Sequence, residues 1–477
     1  MYGYGYRYNS GLVVGAGGGA PFLNTYSTQF DGVDDYVSAP QPFLNSASVF
    51  SMSFWAKKVL ASDDVLIGDK ISTFQGAWVN WYTDGNVYFT CRTGGNITLV
   101  ASLSFDTNWH HFLCTKNGTD AKIYVDGVLS AITPTNGTVA ITLPATCGDN
   151  FRIGSLDAST FGNSTIDEVA LWDSVIAIGD VWDGSGQPTD LTDLSPVAWY
   201  RMGDNGSYKS PQWLLPSNEN KDKVSNYSFE FDGVDDYINC GSLSNLQNAT
   251  EYSICSWFKS PLNNQYQVIY SWFDGADGYL QLLLINDGSF LVYNYRTTQA
   301  WGLSATGLVS ADTWYNALVV FDGGGVTNAD RLKLYINGSL ITLTFTGTIP
   351  TQTGTMLQNR FHLGAYVTIL GAYTWTLEGN IDEVSIFDSA ISIGDVWDGS
   401  GEPIDVSSVS GLTQNYRMGE EATFSGGVWT VPDNVGSNNG TSNAMTIEDR
   451  VGEAPNSENN AVSLNMDLVD RTTDVPT

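Results

Sequence analysis

The sequence predicts an all-β protein: two tandem antiparallel β-sandwich domains with extended terminal arms. Three observations carry that expectation. The first is composition: 13% of the residues are aromatic, 50 are glycine and only 15% are charged. Coiled coils and helical repeats need far more Glu, Lys, Arg, Ala and Leu, so helical architectures are excluded. The second is an internal repeat. Phe30–Tyr36 reads Phe-Asp-Gly-Val-Asp-Asp-Tyr and recurs as Phe231–Tyr237. Ile166–Ser174 recurs with three substitutions as Ile381–Ser389, Ile178–Gly186 recurs verbatim as Ile393–Gly401, and Tyr200–Gly203 recurs as Tyr416–Gly419. So long a period marks two similar domains and not a solenoid of short units. The third is alternation ending in turn chemistry. Ala121–Leu129 alternates apolar residues into Asp126-Gly127, and Leu332–Leu340 does the same into Asn337-Gly338. Asp-Gly and Asn-Gly supply the positive φ angles of a tight hairpin turn.

The elements follow in order. Residues 1–22 form a Tyr/Gly-rich arm, read either as a loose terminus or as an arm that packs its tyrosines on a partner. Residues 23–195 form the first sandwich and 196–413 the second, with the connection inside 187–226. Ser51–Ala56 and Tyr252–Phe258 alternate as matching strands. Helix is expected only as single turns near Ile178–Trp182 and Ile393–Trp397. Residues 414–477 read as the opening of a third copy that stops, followed by a polar, acidic tail. Alone such a tail is disordered; on a partner it could add a strand. Tyr200–Gly203 either opens the second domain or closes the first.

Charge narrows the partners. With 20 basic against 51 acidic residues the net charge is −31. Nucleic acid and anionic membrane surfaces are therefore excluded as partners. No apolar run approaches the roughly 20 residues that span a bilayer, and the N-terminus lacks the features of a signal peptide. The five cysteines, Cys91, Cys114, Cys147, Cys240 and Cys255, have no metal-ligand spacing and read as small buried hydrophobes in a reducing compartment.

The motif string resembles a known family. Phe30–Tyr36, Phe54-Trp55, Asn108–His111, Tyr124–Gly127, Phe151–Gly154 and Ile166–Val169 arrive in the order of the laminin G-like branch of the concanavalin A-like lectin/glucanase jelly rolls. The second copy matches with Phe231–Tyr237, Trp257-Phe258, Thr313-Trp314, Tyr335–Gly338, Phe361–Gly364 and Ile381–Val384. The resemblance implies two face-to-face antiparallel sheets per copy. The combination of tandem domains, Tyr/Gly arm and acidic tail also resembles structural proteins of marine bacteriophage virions.

Three chemistries are weighed. Asp31, Asp34, Asp232 and Asp235 sit at Gly-rich strand ends, where carboxylates and carbonyls supply the oxygens calcium wants. The family resemblance implies Asp31 or Asp34 together with Asp167, and Asp232 or Asp235 together with Asp382, as Ca²⁺ ligands. The competing role is turn fixation through backbone amides. Glycoside hydrolysis needs two carboxyls across a scissile bond. The superfamily's Glu-x-Asp strand pattern is missing, and Asp167-Glu168, being adjacent, alternate to opposite faces. His110, His111 and His362 read as packing residues, since the second copy replaces His110-His111 with Tyr315-Asn316. For sugar binding, aromatic faces stack on pyranose rings. The candidates are Trp78, Trp81 and Tyr82 in the first domain and Trp272, Phe273 and Tyr279 in the second. Trp182 and Trp397 read as plugs at the inter-domain connection.

The expected function is that of a non-enzymatic virion surface component, decoration or fibre, that meets glycans or neighbouring subunits. The expected partners are other virion or surface proteins through the arms, and the expected state is a homo-oligomer or part of a larger assembly. A secreted or cell-surface adhesin is the alternative reading, and a glycoside hydrolase the third.

Overall fold

The structure, a computed structural model, describes residues 22–40, 44–71, 75–93, 95–118, 120–131, 142–145, 147, 150–157, 159–273, 278–355, 361–368 and 371–477. Apart from Phe22, the N-terminal arm lies outside the described residues. The alternating segments pair antiparallel into two sandwiches, as the patterning predicts.

In the first sandwich one sheet runs Val128–Ala131, Asp120–Val125, His110–Asn117, Val49–Lys58, Ser164–Trp172, Ser27–Gln29 and Arg471–Thr472. The opposing sheet runs Ser207–Lys209, Gln212–Leu215, Ala461–Leu464, Tyr36–Ala39, Phe151–Ile153, Asp64–Ile71, Gln75–Trp81, Asn86–Thr93 and Gly95–Ser102. Between them Phe54, Trp81, Phe112 and Trp213 pack the core. The second sandwich repeats this plan, with Tyr266–Phe273, Tyr279–Ile285, Phe290–Tyr295 and Trp301–Leu303 adjacent in its larger sheet. Its core is built on Phe258, Trp272 and Trp429. Asp126-Gly127 and Asn337-Gly338 hold φ of 47° and 76°, and 45° and 78°, as a tight hairpin requires.

The C-terminal residues depart from expectation. They are not a free tail: two copies of one closing unit, Gly440–Val451 and Ala461–Thr472, complete the two sandwiches in reverse order. In the second sandwich Val428–Val431 pairs directly with Gly440–Asn443 across the short loop 432–439. In the first, Gln212–Leu215 pairs with Ala461–Leu464, so the whole second sandwich lies between two neighbouring strands of the first. The units work alike. Ser442 Oγ accepts the Trp429 N–H at 2.9 Å, and Ser463 Oγ that of Trp213 at 2.7 Å. The Trp429 indole N–H donates to the Thr446 carbonyl, and that of Trp213 to the Asp467 carbonyl. The Arg450 and Arg471 guanidiniums lie 4.5 and 5.6 Å from the rings of Trp429 and Trp213. The physical reason is that a sandwich missing these strands leaves the facing backbone groups of Ser27–Gln29, Tyr36–Ala39 and Gln212–Leu215 unpaired.

The same pairing places the Tyr-Arg-Met-Gly segments. Ala198–Tyr200 pairs with Ser164–Trp172, and Leu412–Tyr416 with Glu378–Phe387, so each segment closes the sandwich before it and no third copy begins. Trp182 and Trp397 are not inter-domain plugs. Each lies over the hairpin of its own sandwich, where a Cβ on Gly127 or Gly338 would come within 2.4 or 2.5 Å of the indole. Besides the expected turns at Ile178–Val181 and Ile393–Asp395, a short helix forms at Asn328–Arg331, capped by Thr327. All five cysteines are free and buried. No helix among the described residues is long and apolar enough to cross a membrane.

Candidate functional site

Alternation along a strand says which side chains share a face but not which face is the core. Trp81 and Trp272, expected as exposed stacking faces, are fully buried inside the two cores, so neither ring is open to a sugar. Trp78 points outward from its sheet yet is covered by Val65 and Leu156. Tyr82 is half-buried against Tyr88, with ring centroids 4.8 Å apart. Phe273 is half-buried, and Tyr279, also expected as an open face, is buried by the rings around it. They belong to an aromatic run on the outer face of the second sandwich's larger sheet.

That run is continuous. Tyr266 meets Trp375 at 5.9 Å between centroids, Trp375 meets Tyr366 at 5.5 Å, Tyr366 meets Tyr279 at 5.8 Å, Tyr279 meets Tyr293 at 5.2 Å, and Tyr293 meets Trp301 at 5.6 Å. Phe273 and Tyr295 flank Tyr279 at 5.7 and 5.2 Å. Register builds the face: Tyr279 stands opposite both Phe273 and Tyr295, and Tyr293 opposite Trp301, on adjacent strands. Tyr366 belongs to the hairpin Tyr366–Val367/Tyr373–Thr374, and Trp375 follows it, its carbonyl accepting the Val268 N–H at 2.8 Å. Tyr266 is 37% and Trp375 39% exposed, while Tyr293, Tyr295 and Trp301 are half-buried. Burial holds the phenols of Tyr279, Tyr293 and Tyr295 above the usual tyrosine range, so the face stays uncharged. Gln281 sits among them, and its Nε2 has no partner among the described residues. Tyr293, Tyr295, Trp301, Tyr366 and Trp375 escape a reading of one copy; comparison of the two copies in register would have exposed them.

The carboxylates do not assemble as the resemblance implied. Thr28 stands opposite Ile166 and Gln29 opposite Thr165, so the antiparallel register carries Asp31 away from Asp167, by about 13 Å at 3.3 Å per residue. Asp232 likewise stands opposite Glu378 and not near Asp382. What does assemble is Asp31, Asp34 and Asp35 in one turn and Asp232, Asp235 and Asp236 in the other, each set offering oxygens within 4.8 Å of one another. One oxygen of Asp31 takes the Val33 N–H and one of Asp35 takes the Asp31 N–H, so the turn-fixing role is real in both copies. Burial and the neighbouring Asp470 and Asp31 raise Asp35 to about 7; burial, Asp449 and Asp232 raise Asp236 to about 7. Unused hard oxygens in a self-repelling set fit a divalent cation such as Ca²⁺.

Asp167-Glu168 and Asp382-Glu383 break the alternation expected of a regular strand. Glu168 and Glu383 have φ of 47° and 44° and interrupt their ladders as bulges, so all four carboxyls are buried. Asp167 accepts from the Asn24 amide at 2.8 Å; Glu168 accepts from the Trp199 indole at 2.6 Å and from Arg201 at 3.0 Å. Asp382 accepts from the Ser225 hydroxyl at 2.7 Å, and Glu383 from Arg417 at 3.1 Å. Of the histidines, His110 bridges Asp126 and Asp106, His111 bonds Ser53 Oγ at 2.8 Å under Trp182, and His362 is buried against Tyr237.

Comparison with known proteins agrees with this architecture. The family model for the concanavalin A-like lectin/glucanases superfamily, of laminin G type, matches residues 31–181 and 231–396, about two thirds of the chain. The chain belongs to that superfamily. No curated protein is significantly similar to it in sequence. Among solved structures it is similar to domains LG4-5 of the mouse laminin alpha1 chain, at 14% identity and TM-score 0.28 over 83% of this chain and 97% of that one. It is also similar to the Limulus polyphemus SAP-like pentraxin, at 14% identity and TM-score 0.28 over 36% and 80% of the two chains. A third is the Ruminococcus gnavus IT-sialidase CBM40 bound to alpha2,6 sialyllactose, at 16% identity and TM-score 0.30 over 35% and 94%. At these identities the likeness is one of fold.

Proposed function

We propose that the protein is a non-enzymatic binding and structural component of a virion surface, of decoration or fibre type, that holds glycans on the aromatic face of its second sandwich. The observation that carries this reading is the unbroken run from Tyr266 through Trp375, Tyr366, Tyr279 and Tyr293 to Trp301. Flat apolar rings with polar edges suit the C–H faces and hydroxyls of pyranoses; beneath them Gln281 accepts the Tyr279 hydroxyl, and its Nε2 is a donor with no partner among the described residues. The non-enzymatic part is supported by the fate of the paired carboxyls, which are buried and occupied by Asn24, Trp199, Arg201, Ser225 and Arg417. Free buried cysteines and a net charge of −31 suit a soluble protein folded in a reducing compartment before release. With the C-terminal residues spent on its own sandwiches, the N-terminal arm is left for contacts with other subunits. Ca²⁺ is assigned to the Asp31, Asp34, Asp35 and Asp232, Asp235, Asp236 turns, where it would hold neighbouring loops in place.

The test is a glycan array on the whole chain, in Ca²⁺ and in excess EDTA, with Tyr293→Ala/Trp301→Ala and Thr90→Ala/Thr98→Ala as paired variants. Selective signal lost in the first variant and kept in the second is the expected result. Signal that survives loss of Tyr293 and Trp301 overturns the assignment of the face, and silence of the folded wild-type chain overturns glycan binding.

A further inference from the structure

Between the two sandwiches lies a cleft of about 360 Å³, within the range of small-molecule sites. Tyr36, Arg152 and Gln212 line it from the first sandwich, and Glu448, Arg450 and Glu453 from the second. Two arginines here stand out in a chain with 20 basic residues against 51 acidic ones.

Their hydrogen bonding is incomplete. Arg450 is 1% exposed; one terminal nitrogen donates to the Ala422 carbonyl, but Nε and Nη1 have no partner among the described residues. Arg152 lies over the Tyr36 ring at 4.6 Å, and its buried Nη1 is likewise unpartnered. Gln212 is fully buried; its Nε2 donates to the Ile447 carbonyl at 3.4 Å while its Oε1 has no partner among the described residues. Three side chains lining one cleft thus hold unused donors and an unused acceptor.

The nearby carboxylates do not satisfy them. Glu453 is engaged by Lys259, and Glu421 pairs with Lys209 at 2.6 Å. Glu420 spends one oxygen on the backbone N–H groups of Asn226 and Tyr227. Among the described residues no salt bridge reaches Arg152 or Arg450, which leaves Glu448 as the one unengaged acid of the lining. Glu420 and Glu421 offset the Arg450 charge through space, yet no carboxylate meets its guanidinium in a salt bridge among the described residues. A buried guanidinium whose donors are unmet is costly, and a bound anion lowers that cost.

We propose that this cleft binds a small ligand carrying an oxyanion, no larger than a monosaccharide, with the anionic group between Arg152 and Arg450. Tyr36 offers a flat wall to the rest of the ligand, and Gln212 Oε1 accepts one of its hydroxyls. That acceptor favours the acid group of a sugar over a free inorganic oxyanion. Because both sandwiches supply contacts, the ligand ties them together, and binding raises the unfolding temperature by mass action.

Thermal unfolding of the full chain tests this with three probes, sodium glucuronate, sodium sulfate and glucose, against sodium chloride at matched ionic strength. A rise with glucuronate and none with glucose is expected, with affinity at least about tenfold weaker in Arg152→Gln, the loss of one charge-assisted contact. A rise with sulfate alone also supports the oxyanion site and assigns it to the inorganic ion. Arg450→Lys serves as a second variant, and Arg152→Gln, a half-buried position, keeps the test open if the Arg450 change prevents folding. No rise beyond chloride with either anion, an equal rise with glucose, or a rise unchanged in Arg152→Gln overturns the proposal. Tyr293→Ala is expected to leave the glucuronate response intact, which separates this cleft from the aromatic face.

Discussion

The two sandwiches share a plan but not a chain path. The second is continuous: its strand Val428–Val431 turns through 432–439 into Gly440–Asn443. The first is open at the same point, and its strand Gln212–Leu215 meets Ala461–Leu464 only after the second sandwich has been made. The difference teaches that the nested copy replaces a short loop, so the outer copy takes two of its strands from the final residues and the inner one takes none. Removing residues 456–477 breaks that comparison most severely. The first sandwich loses Ala461–Leu464 and Arg471–Thr472, and with them the acceptors for the Trp213 backbone and indole. The expected outcome is loss of the first sandwich's cooperative unfolding transition while that of the second persists, read by calorimetry. Two intact transitions in the truncated chain would show that the closing unit is dispensable.

Single substitutions sharpen the same contrast. Trp213 and Trp429 occupy equivalent places, each capped by a serine hydroxyl and stacked under an arginine of the closing units. Replacing either by Ala empties a large buried volume and is expected to cost about 3–5 kcal/mol. Trp213→Ala should lower only the first transition and Trp429→Ala only the second. A shift of both by the same amount in either variant would mean that the two sandwiches unfold as one unit.

The outer faces of the larger sheets separate the copies as well. Pairing in register sets Tyr279, Tyr293, Tyr295 and Trp301 against Gly76, Thr90, Arg92 and Thr98 of the first copy. The scaffold is shared and the aromatic face is not, which is the pattern the proposed function requires, since sites are grafted on folds.

Much of the fold was legible because its signals are local. Asp126-Gly127 and Asn337-Gly338 dictate a turn wherever they occur, and Trp55 or Trp257 lies on a strand by alternation alone. The nesting was not legible, because which strands pair is a long-range property. The closing units share only scattered positions, Ser442 with Ser463, Met445 with Met466, and Asp449-Arg450 with Asp470-Arg471, and their polar turns read as a tail. The site was half legible. Phe273 and Tyr279 fall on the aromatic face, whereas Trp81 and Trp272 fall on the core side, a choice that alternation leaves open. Asp167 and Asp382 were mispaired because a motif's order in sequence does not reveal its register.

The smallest contrast is one of acidity at the two Asp-Glu bulges. Burial raises Glu168 to about 7 against the pull of Arg201, while burial and the facing Glu420 raise Glu383 to about 8 despite Arg417. In the unfolded chain both titrate near the ordinary glutamate value of about 4.3. Between that value and the raised one the folded protein holds the extra proton, so stability is full at acid pH and falls as pH rises through 7 in the first sandwich and through 8 in the second. Both transitions are therefore expected to weaken as pH rises from 5 toward 8, the second by more, because Glu420 adds its charge to the burial of Glu383. Glu420→Gln removes the facing charge, and the second transition should then fall in step with the first. A second transition that rises over that interval, or a slope unchanged in Glu420→Gln, would show that Glu420 does not set the acidity of Glu383.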